Sequence, residues 1–346
     1  MSAQDGRVVG VDVGGTSTRA LLAGVDGSRL GTGTAGGANP NSHRPEEAAE
    51  RITTALRAAL AGADPGTVSA GVVGMAGSSR LADPRVAELF DAAWRRAGLR
   101  CPMRVVADYE AAFAAGTAEP DGTALVAGTG SVAARIENRR RVATAGGYGW
   151  LLGDEGSAFW LGREAVRVAL RALESAAPPG ALATAVLGAV LGEAPAAGGP
   201  DAARRQFAAL ISAINGEPPI RLARLAPLVS RAVAEGDPAA AAVVAEAARL
   251  LTDAAMAVRR DGETTPVVLI GSLVGPASPV GERLRAELAA RCSGPVYVAD
   301  DGAAGAAWLA AVDLAGPAAG RPIRCGDAAG PDGRRAASGA APTSSP

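Results

Sequence analysis

The sequence predicts a two-lobed α/β protein: one α/β unit used twice, a cleft between the copies, and a helical insertion in the second. Three observations carry that expectation. At 346 residues the chain exceeds the roughly 250 residues at which a single hydrophobic core stops growing. Three sequence patterns recur in the same order in both halves. In the second half a long stretch with apolar residues at helical spacing separates the first pattern from the next.

The first pattern is a hairpin with a bare tip. Residues 8–23 (VVGVDVGGTSTRALLA) and 124–136 (ALVAGTGSVAARI) each read as an apolar strand, a Gly/Thr bend and an alternating strand. The second is a strand running into a Gly/Ser loop, VVGMAGSS at 72–79 and VVLIGSLVG at 267–275. The third is a strand ending in Ala-Asp before an Ala-rich helix, VVADYEAAFAAG at 105–116 and VYVADDGAAGAA at 296–307. These repeats set expected boundaries: a first lobe over 1–117, a second over 118–315, and an insertion over about 155–262. Within the insertion, helices are expected over 222–235 and 239–260, the second opened by an Asp237 cap and Pro238. From Gly316 to the end the chain turns to Gly, Pro, Ser, Arg and Asp without periodicity, which predicts a disordered, dispensable tail over 316–346.

Composition narrows the chemistry. Apolar residues reach 48% but aromatics only 3%, so the core must come from closely packed helices and Val/Leu-rich strands. A net charge of −1 without basic clustering argues against nucleic acid and against a membrane surface as partners. The short polar N-terminus is unlike a signal peptide and no apolar run approaches a spanning helix, so a cytoplasmic protein is expected. The chain has no lysine, which removes Walker-type, protein-kinase and Schiff-base mechanisms. A single histidine, His43, leaves little room for a Ser-His-Asp triad or a His-ligated zinc site. Cys101, Cys292 and Cys325 lie far apart and read as reduced thiols. Catalysis, if present, falls to carboxylates, hydroxyls and backbone.

The two bends are the first candidates. Gly14 and Gly15 let a backbone approach a phosphate closely, their N–H groups can form an anion nest, and Thr16 and Thr18 add donors without a lysine. Asp12, at the strand end, can hold Mg²⁺ through water. An ordinary tight turn explains one such bend; the second, Gly128-Thr129-Gly130-Ser131, makes a two-sided cradle for a triphosphate the better reading. Asp108 ends a strand where open α/β sheets place ligand chemistry, and suits a base taking the proton of an attacking hydroxyl; the plain alternative is a helix cap. Asp300, its counterpart, reads as a cap or a nucleotide-side contact. Asp154 opens a long helix as a cap would, but Tyr148 and Trp150 beside it offer ring faces suited to a sugar. Asn39 is either a polar turn residue or an amide that reads a sugar substituent. His43 and Glu110 read as structural.

DVGGTST, GTGS, VVADYEAA and above all GGYGWLLGDEGSAFWLG at 146–162 resemble the N-acetylglucosamine kinase group of the BadF/BadG/BcrA/BcrD ATPase family. The likeness runs in order over roughly residues 7–311, with the helical insertion placed as in that family. It implies the actin-like ATPase (ribonuclease H-like) fold and a sugar kinase that uses ATP and Mg²⁺ on an amino sugar, N-acetylglucosamine first, at O6. It implies that Thr16 and Thr129 contact ATP, that Gly271 and Ser272 lie beside the adenosine, and that Asp108 is the catalytic aspartate. It implies that Asn39 and Ser131 meet the sugar, with Gly147, Tyr148, Gly149, Trp150 and Asp154 as the sugar-binding loop. Dimerisation is also a family expectation.

Side chains at 148–150 differ from relatives that carry Trp and His nearby, and Tyr109 stands where smaller residues are common; both bear on the acceptor pocket. Three other readings stay open: the same reaction on glucosamine, an ATPase activator that shares an iron–sulfur cluster between subunits, and a non-catalytic ATP-binding protein. Neither Cys101 nor Cys292 lies in a Gly-rich helix junction suited to such a cluster.

Overall fold

A computed structural model describes residues 6–175, 178–192, 199–275, 277–299 and 301–322. The first sheet contains β1 (Arg7–Val13), β2 (Ser17–Gly24), β3 (Arg29–Gly36), β4 (Val68–Met75) and β5 (Met103–Ala107), in the order β3-β2-β1-β4-β5. The second contains β6 (Gly122–Ala127), β7 (Ser131–Glu137), β8 (Arg140–Gly146), β9 (Val267–Ile270) and β10 (Val296–Ala299), in the order β10-β9-β6-β7-β8. Read from the other edge, the second order is the first repeated. In each sheet the opening three strands form an antiparallel meander and the last two add in parallel on the other side. The duplicated two-lobed α/β fold expected from the repeats is therefore present.

Helices α1 (Pro45–Ala59) and α2 (Pro84–Arg96) cover the first sheet, packing Ile52, Leu56, Phe90 and Trp94 against Val9, Val11 and Val73. The helices α3 (Asp108–Gly116) and α10 (Gly302–Ala315) cross the lobes. Helix α3 follows the last strand of the first sheet but sets Phe113 among Ala124, Ala134, Ile136 and Val268 of the second. Helix α10 follows the last strand of the second sheet and buries Ala303, Ala306, Ala307 and Ala310 with Val8, Leu21 and Val72 of the first. Small residues make this possible: a Cβ on Gly305 would lie 1.9 Å from Ala111 O, and one on Gly10 would lie 2.1 Å from Ala307 N. This close approach replaces the missing aromatic bulk.

The insertion is helical as expected: α4 (Ala158–Glu174), α5 (Ala181–Leu191), α6 (Pro200–Asn215), α7 (Ala226–Ala234) and α8 (Pro238–Ala257), with α9 (Pro279–Arg291) after β9. The helix expected from residue 222 begins a turn later, because Pro219–Leu225 forms a 3₁₀ segment before the proline that opens α7. Asp237 caps α8 through Ala239 N (2.8 Å) and Ala240 N (3.0 Å), and its other oxygen accepts Leu182 N of α5 (2.8 Å).

Residues 316–322, which composition groups with a loose tail, are fastened. Trp308 Nε1 donates to Ala319 O (3.0 Å), Gly320 N to Val25 O (2.8 Å) and Arg29 Nη1 to Pro322 O (3.2 Å). Arg321 lies over the Trp308 ring and donates to Ala114 O and Ala115 O at the end of α3. The remainder of the expected tail, 323–346, and Cys325 lie outside the described residues.

Candidate active site

Both Gly/Thr bends, the Gly/Ser loops and Asp108 follow the carboxyl ends of β1, β4, β5, β6 and β9, the edge at which open α/β sheets collect ligand chemistry. At the first bend Gly14 N donates to Ser17 O (3.0 Å), while Gly14 O accepts Ala38 N (3.0 Å) and Asn39 N (3.2 Å). The bend is thereby tied to the loop carrying Asn39. Gly15 and Thr16 are exposed, and a Cβ on Gly15 would meet nothing within 4 Å, so the backbone there is open to a ligand. Thr18, expected beside them, is fully buried and donates to Gly36 O at 2.8 Å. Alternation along β2 puts it on the covered side, and its hydroxyl ties β2 to β3.

At the second bend Gly128 N donates to Gly130 O (3.0 Å), and the first amides of α4 donate to its carbonyls: Ala158 N to Gly128 O (2.9 Å) and Phe159 N to Thr129 O (3.2 Å). Thr129 stays exposed. Asp154, held at φ 58°, accepts Ser131 N at 3.1 Å and packs against Gly130. Burial pushes the Asp154 carboxyl above its ordinary range, and the Ser131 N–H opposes this. The Ser131 hydroxyl, expected at the sugar, donates to Glu155 O (2.8 Å). Gly271 sits beneath this bend at φ 110°, where a Cβ would lie 2.5 Å from Ala127 O, and Ser272 beside it is exposed.

Asp108 is the first residue of α3, its Oδ1 accepting Tyr109 N at 3.0 Å. Burial raises its pKa above the usual carboxylate range, opposed by that N–H, with Glu110 adding to the rise. Glu110 accepts Ala107 N (2.8 Å) with one oxygen and Arg141 N of β8 (2.7 Å) with the other, so the reading of it as structural holds. Asp12 lies against the start of α10, where a Cβ on Gly302 would come within 2.7 Å of its carboxyl carbon. Its pKa is pushed up to about 6, first by burial, then by Asp108 and Asp301, with Arg19 opposing. A hydrated Mg²⁺ held through water would relieve this crowding; among the described residues no three His, Cys, Asp or Glu side chains cluster as direct ligands. Asp300 lies outside the described residues.

A cleft of about 700 Å³ opens between β5 and β8, lined by Asp108 and Tyr109, by Asn41, Gly77, Ser78 and Ser79, and by Arg140, Arg141 and Gly147. Asn39 borders it through Gly77, whose Cβ would lie 2.7 Å from Asn39 Oδ1; that oxygen accepts Asn41 N at 2.9 Å. Of the expected sugar loop, only Gly147 reaches this cleft. Tyr148 and Trp150 are 65% and 39% exposed, and the Trp150 ring stands 6.1 Å from that of Phe159. Gly149, at φ 78°, has open space where a Cβ would be.

Sequence reasoning missed a second layer behind the first bend. His43 Nε2 lies 2.8 Å from Gly15 O and its Nδ1 lies 3.1 Å from Arg51 Nη1. Arginine can only donate, so Nδ1 accepts and Nε2–H donates to the Gly15 carbonyl. Arg51 also reaches Gly37 O and Glu47. His43 stands alone in a polar loop, and no spacing in the sequence links it to a bend 28 residues earlier.

The chain matches the BadF/BadG/BcrA/BcrD ATPase family over residues 9–310. An N-acetylmuramic acid/N-acetylglucosamine kinase of Clostridium acetobutylicum is 29% identical over 167 residues, 48% of this chain and 54% of the relative. The match thus spans about half of that relative's length. Among solved structures, a protein of Chromobacterium violaceum assigned by inference as an N-acetylglucosamine kinase is 27% identical, with a TM-score of 0.68 over 88% of this chain and 99% of its own. A ROK family glucokinase of Streptomyces griseus, solved with glucose and AMPPNP, is 23% identical with a TM-score of 0.53 over 88% of this chain and 99% of its own, a likeness of fold alone. Among the described residues no helix is long and apolar enough to cross a membrane.

Proposed function

Because the chain belongs to the BadF/BadG/BcrA/BcrD ATPase family, we propose that it transfers the γ-phosphate of ATP to O6 of an amino sugar, with N-acetylglucosamine as the first acceptor to test. The observation that carries this reading is Asp108, a half-buried carboxylate with a raised pKa at the wall of a 700 Å³ cleft, whose charge also raises the pKa of Asp12.

In this mechanism the backbone of Gly14, Gly15 and Gly128–Gly130, with the exposed Thr16 and Thr129 hydroxyls, holds the phosphates in place of a lysine. Gly271 and Ser272 border the nucleoside. Asp12 would hold Mg²⁺ through water, and the ion would supply neutralisation of phosphate charge. Asn39 presents its Nδ2 to the sugar, its Oδ1 being taken by Asn41 N. Asp108 accepts the proton of the sugar hydroxyl as that oxygen attacks phosphorus, and a raised pKa makes its carboxylate a better base at neutral pH. Tyr148, Gly149 and Trp150 cover the acceptor as the lobes close, which excludes water that would otherwise hydrolyse ATP.

The test is Asp108→Asn, isosteric and uncharged. Acceptor-dependent ADP formation is expected to fall by about 10²–10⁴-fold, with sugar binding measured by calorimetry retained. Normal turnover in a folded variant would remove Asp108 from the chemistry, and NMR of the wild-type product would place the phosphate on or off O6.

A further inference from the structure

With no lysine in the chain, the hold on phosphate at the first bend falls to backbone N–H groups, which serve only while their peptides face the ligand. A glycine pair supplies little preference of its own, because Gly14 and Gly15 reach most of backbone space at small cost. No side chain packs over the tip: Gly15 and Thr16 are exposed, and a Cβ on Gly15 would meet nothing within 4 Å. The peptide joining them is fixed from behind instead. Its carbonyl oxygen lies 2.8 Å from His43 Nε2. The same peptide rests on the backbone of Gly37, where a Cβ would come within 2.0 Å of Gly15 O and 2.7 Å of Thr16 N. In a planar trans peptide the C=O and N–H point opposite ways. Turning Gly15 O back onto His43 therefore aims the Thr16 N–H at the open side of the bend.

His43 is itself braced. Its Nδ1 accepts from Arg51 Nη1 at 3.1 Å, and Arg51 is anchored by the Gly37 carbonyl and by Glu47, one turn earlier on α1. The His43 N–H donates to Asn39 O at 3.0 Å, which closes residues 39–43 into a compact turn. A guanidinium facing Nδ1 leaves the ring proton on Nε2, the tautomer that donates to Gly15 O. We propose that His43, oriented by Arg51, is a positioning residue for nucleotide binding: it holds the Gly15–Thr16 peptide with its N–H toward the phosphates and its carbonyl away from them. Without that bond the peptide is free to turn its carbonyl toward the anion, and part of the nucleotide's binding free energy goes into turning it back. The inference rests on the reading of this bend as the ATP site.

The experiment compares wild type, His43→Ala and His43→Gln. Gln carries a donor and an acceptor at its end and can serve both Gly15 O and Arg51, whereas Ala serves neither. Calorimetry with AMPPNP and Mg²⁺ reads nucleotide binding with no sugar present, and melting temperature controls for folding. His43→Ala is expected to bind the nucleotide about fivefold more weakly, the loss of one hydrogen bond between neutral groups. His43→Gln is expected to stay within about twofold of wild type. In turnover the loss should sit in the KM for MgATP, with kcat and the sugar KM nearly kept. Because His43 is the chain's single histidine, NMR of the ¹⁵N-histidine-labelled protein reads its ring directly. A proton on Nε2 and a bare Nδ1 are expected, with the ring signals moving when the nucleotide is added. Wild-type nucleotide affinity in His43→Ala, no rescue in a folded His43→Gln, or a proton on Nδ1 in place of Nε2 would each overturn the positioning role while leaving the kinase reading intact. A wild type that binds no nucleotide would overturn both.

Discussion

Replacing Asp12 by Asn should stabilise the ligand-free protein while disabling it. Asp12 is half-buried against the start of α10; desolvation there, with the charges of Asp108 and Asp301, pushes its pKa up to about 6 from 3.8 for an unperturbed carboxyl. The folded state therefore binds its proton more tightly than the unfolded chain does. Its stabilising contribution is complete below pH ~4, where both states are protonated, and is lost as pH rises through about 6. At pH 8 the ionised carboxylate costs roughly 3 kcal/mol, from about 1.4 kcal/mol for each pKa unit between 3.8 and about 6. Asn has the same shape without the charge. Urea unfolding of wild type and Asp12→Asn in EDTA at pH 8, 6 and 4 should show the variant more stable by about 2–3 kcal/mol at pH 8, with the difference closing toward pH 4. MgATP should then stabilise the wild type and leave the variant almost unmoved. A variant no more stable than wild type at pH 8, or a difference independent of pH, would refute the reasoning.

Other perturbations read other parts of the structure. Asp237→Ala removes the carboxylate that accepts three N–H groups at the starts of α5 and α8 and should cost about 2–4 kcal/mol in urea unfolding. Burial works to raise the Asp237 pKa, but the N–H groups of Leu182, Ala240 and Ala239 outweigh it and hold the carboxyl low, so this loss should shrink as acid protonates it. Gly305→Val places a side chain where a Cβ already meets Ala111 O at 1.9 Å, and should drive the α3–α10 crossing apart, lowering the melting temperature sharply or giving insoluble protein. His43→Ala breaks the link from Arg51 to the Gly15 carbonyl and should raise the KM for MgATP severalfold, with little change in melting temperature.

Much of the fold was legible because its signals are local. Apolar strands, Gly/Thr bends and Ala-Asp helix starts recur in one order, and the sheet orders β3-β2-β1-β4-β5 and β8-β7-β6-β9-β10 express that repetition directly. The third strand of each meander was not legible: RLGTGTAG and RRVATAG lack alternating apolar residues because β3 and β8 are edge strands, β3 partly exposed and β8 mostly exposed. The fastening of residues 316–322 was hidden for a related reason, since Arg321 and Pro322 act through contacts with residues some 200 to 290 positions earlier.

At the site, residue type and position at strand ends marked Asp12, Asp108 and the glycines, but not what each polar group binds. Thr18 and Ser131 have the right chemistry for ligands, yet their hydroxyls serve Gly36 and Glu155. His43 was read as structural and Arg51 was not weighed, because no spacing in the sequence ties either to the first bend.

The central claim is phosphoryl transfer to an amino sugar. Its most direct test is ADP release by the purified protein with MgATP and N-acetylglucosamine, glucosamine, N-acetylmannosamine, N-acetylmuramic acid, glucose or no sugar. The account predicts strong stimulation by an amino sugar and little hydrolysis without one; sugar-independent hydrolysis, or silence across the panel, would contradict it.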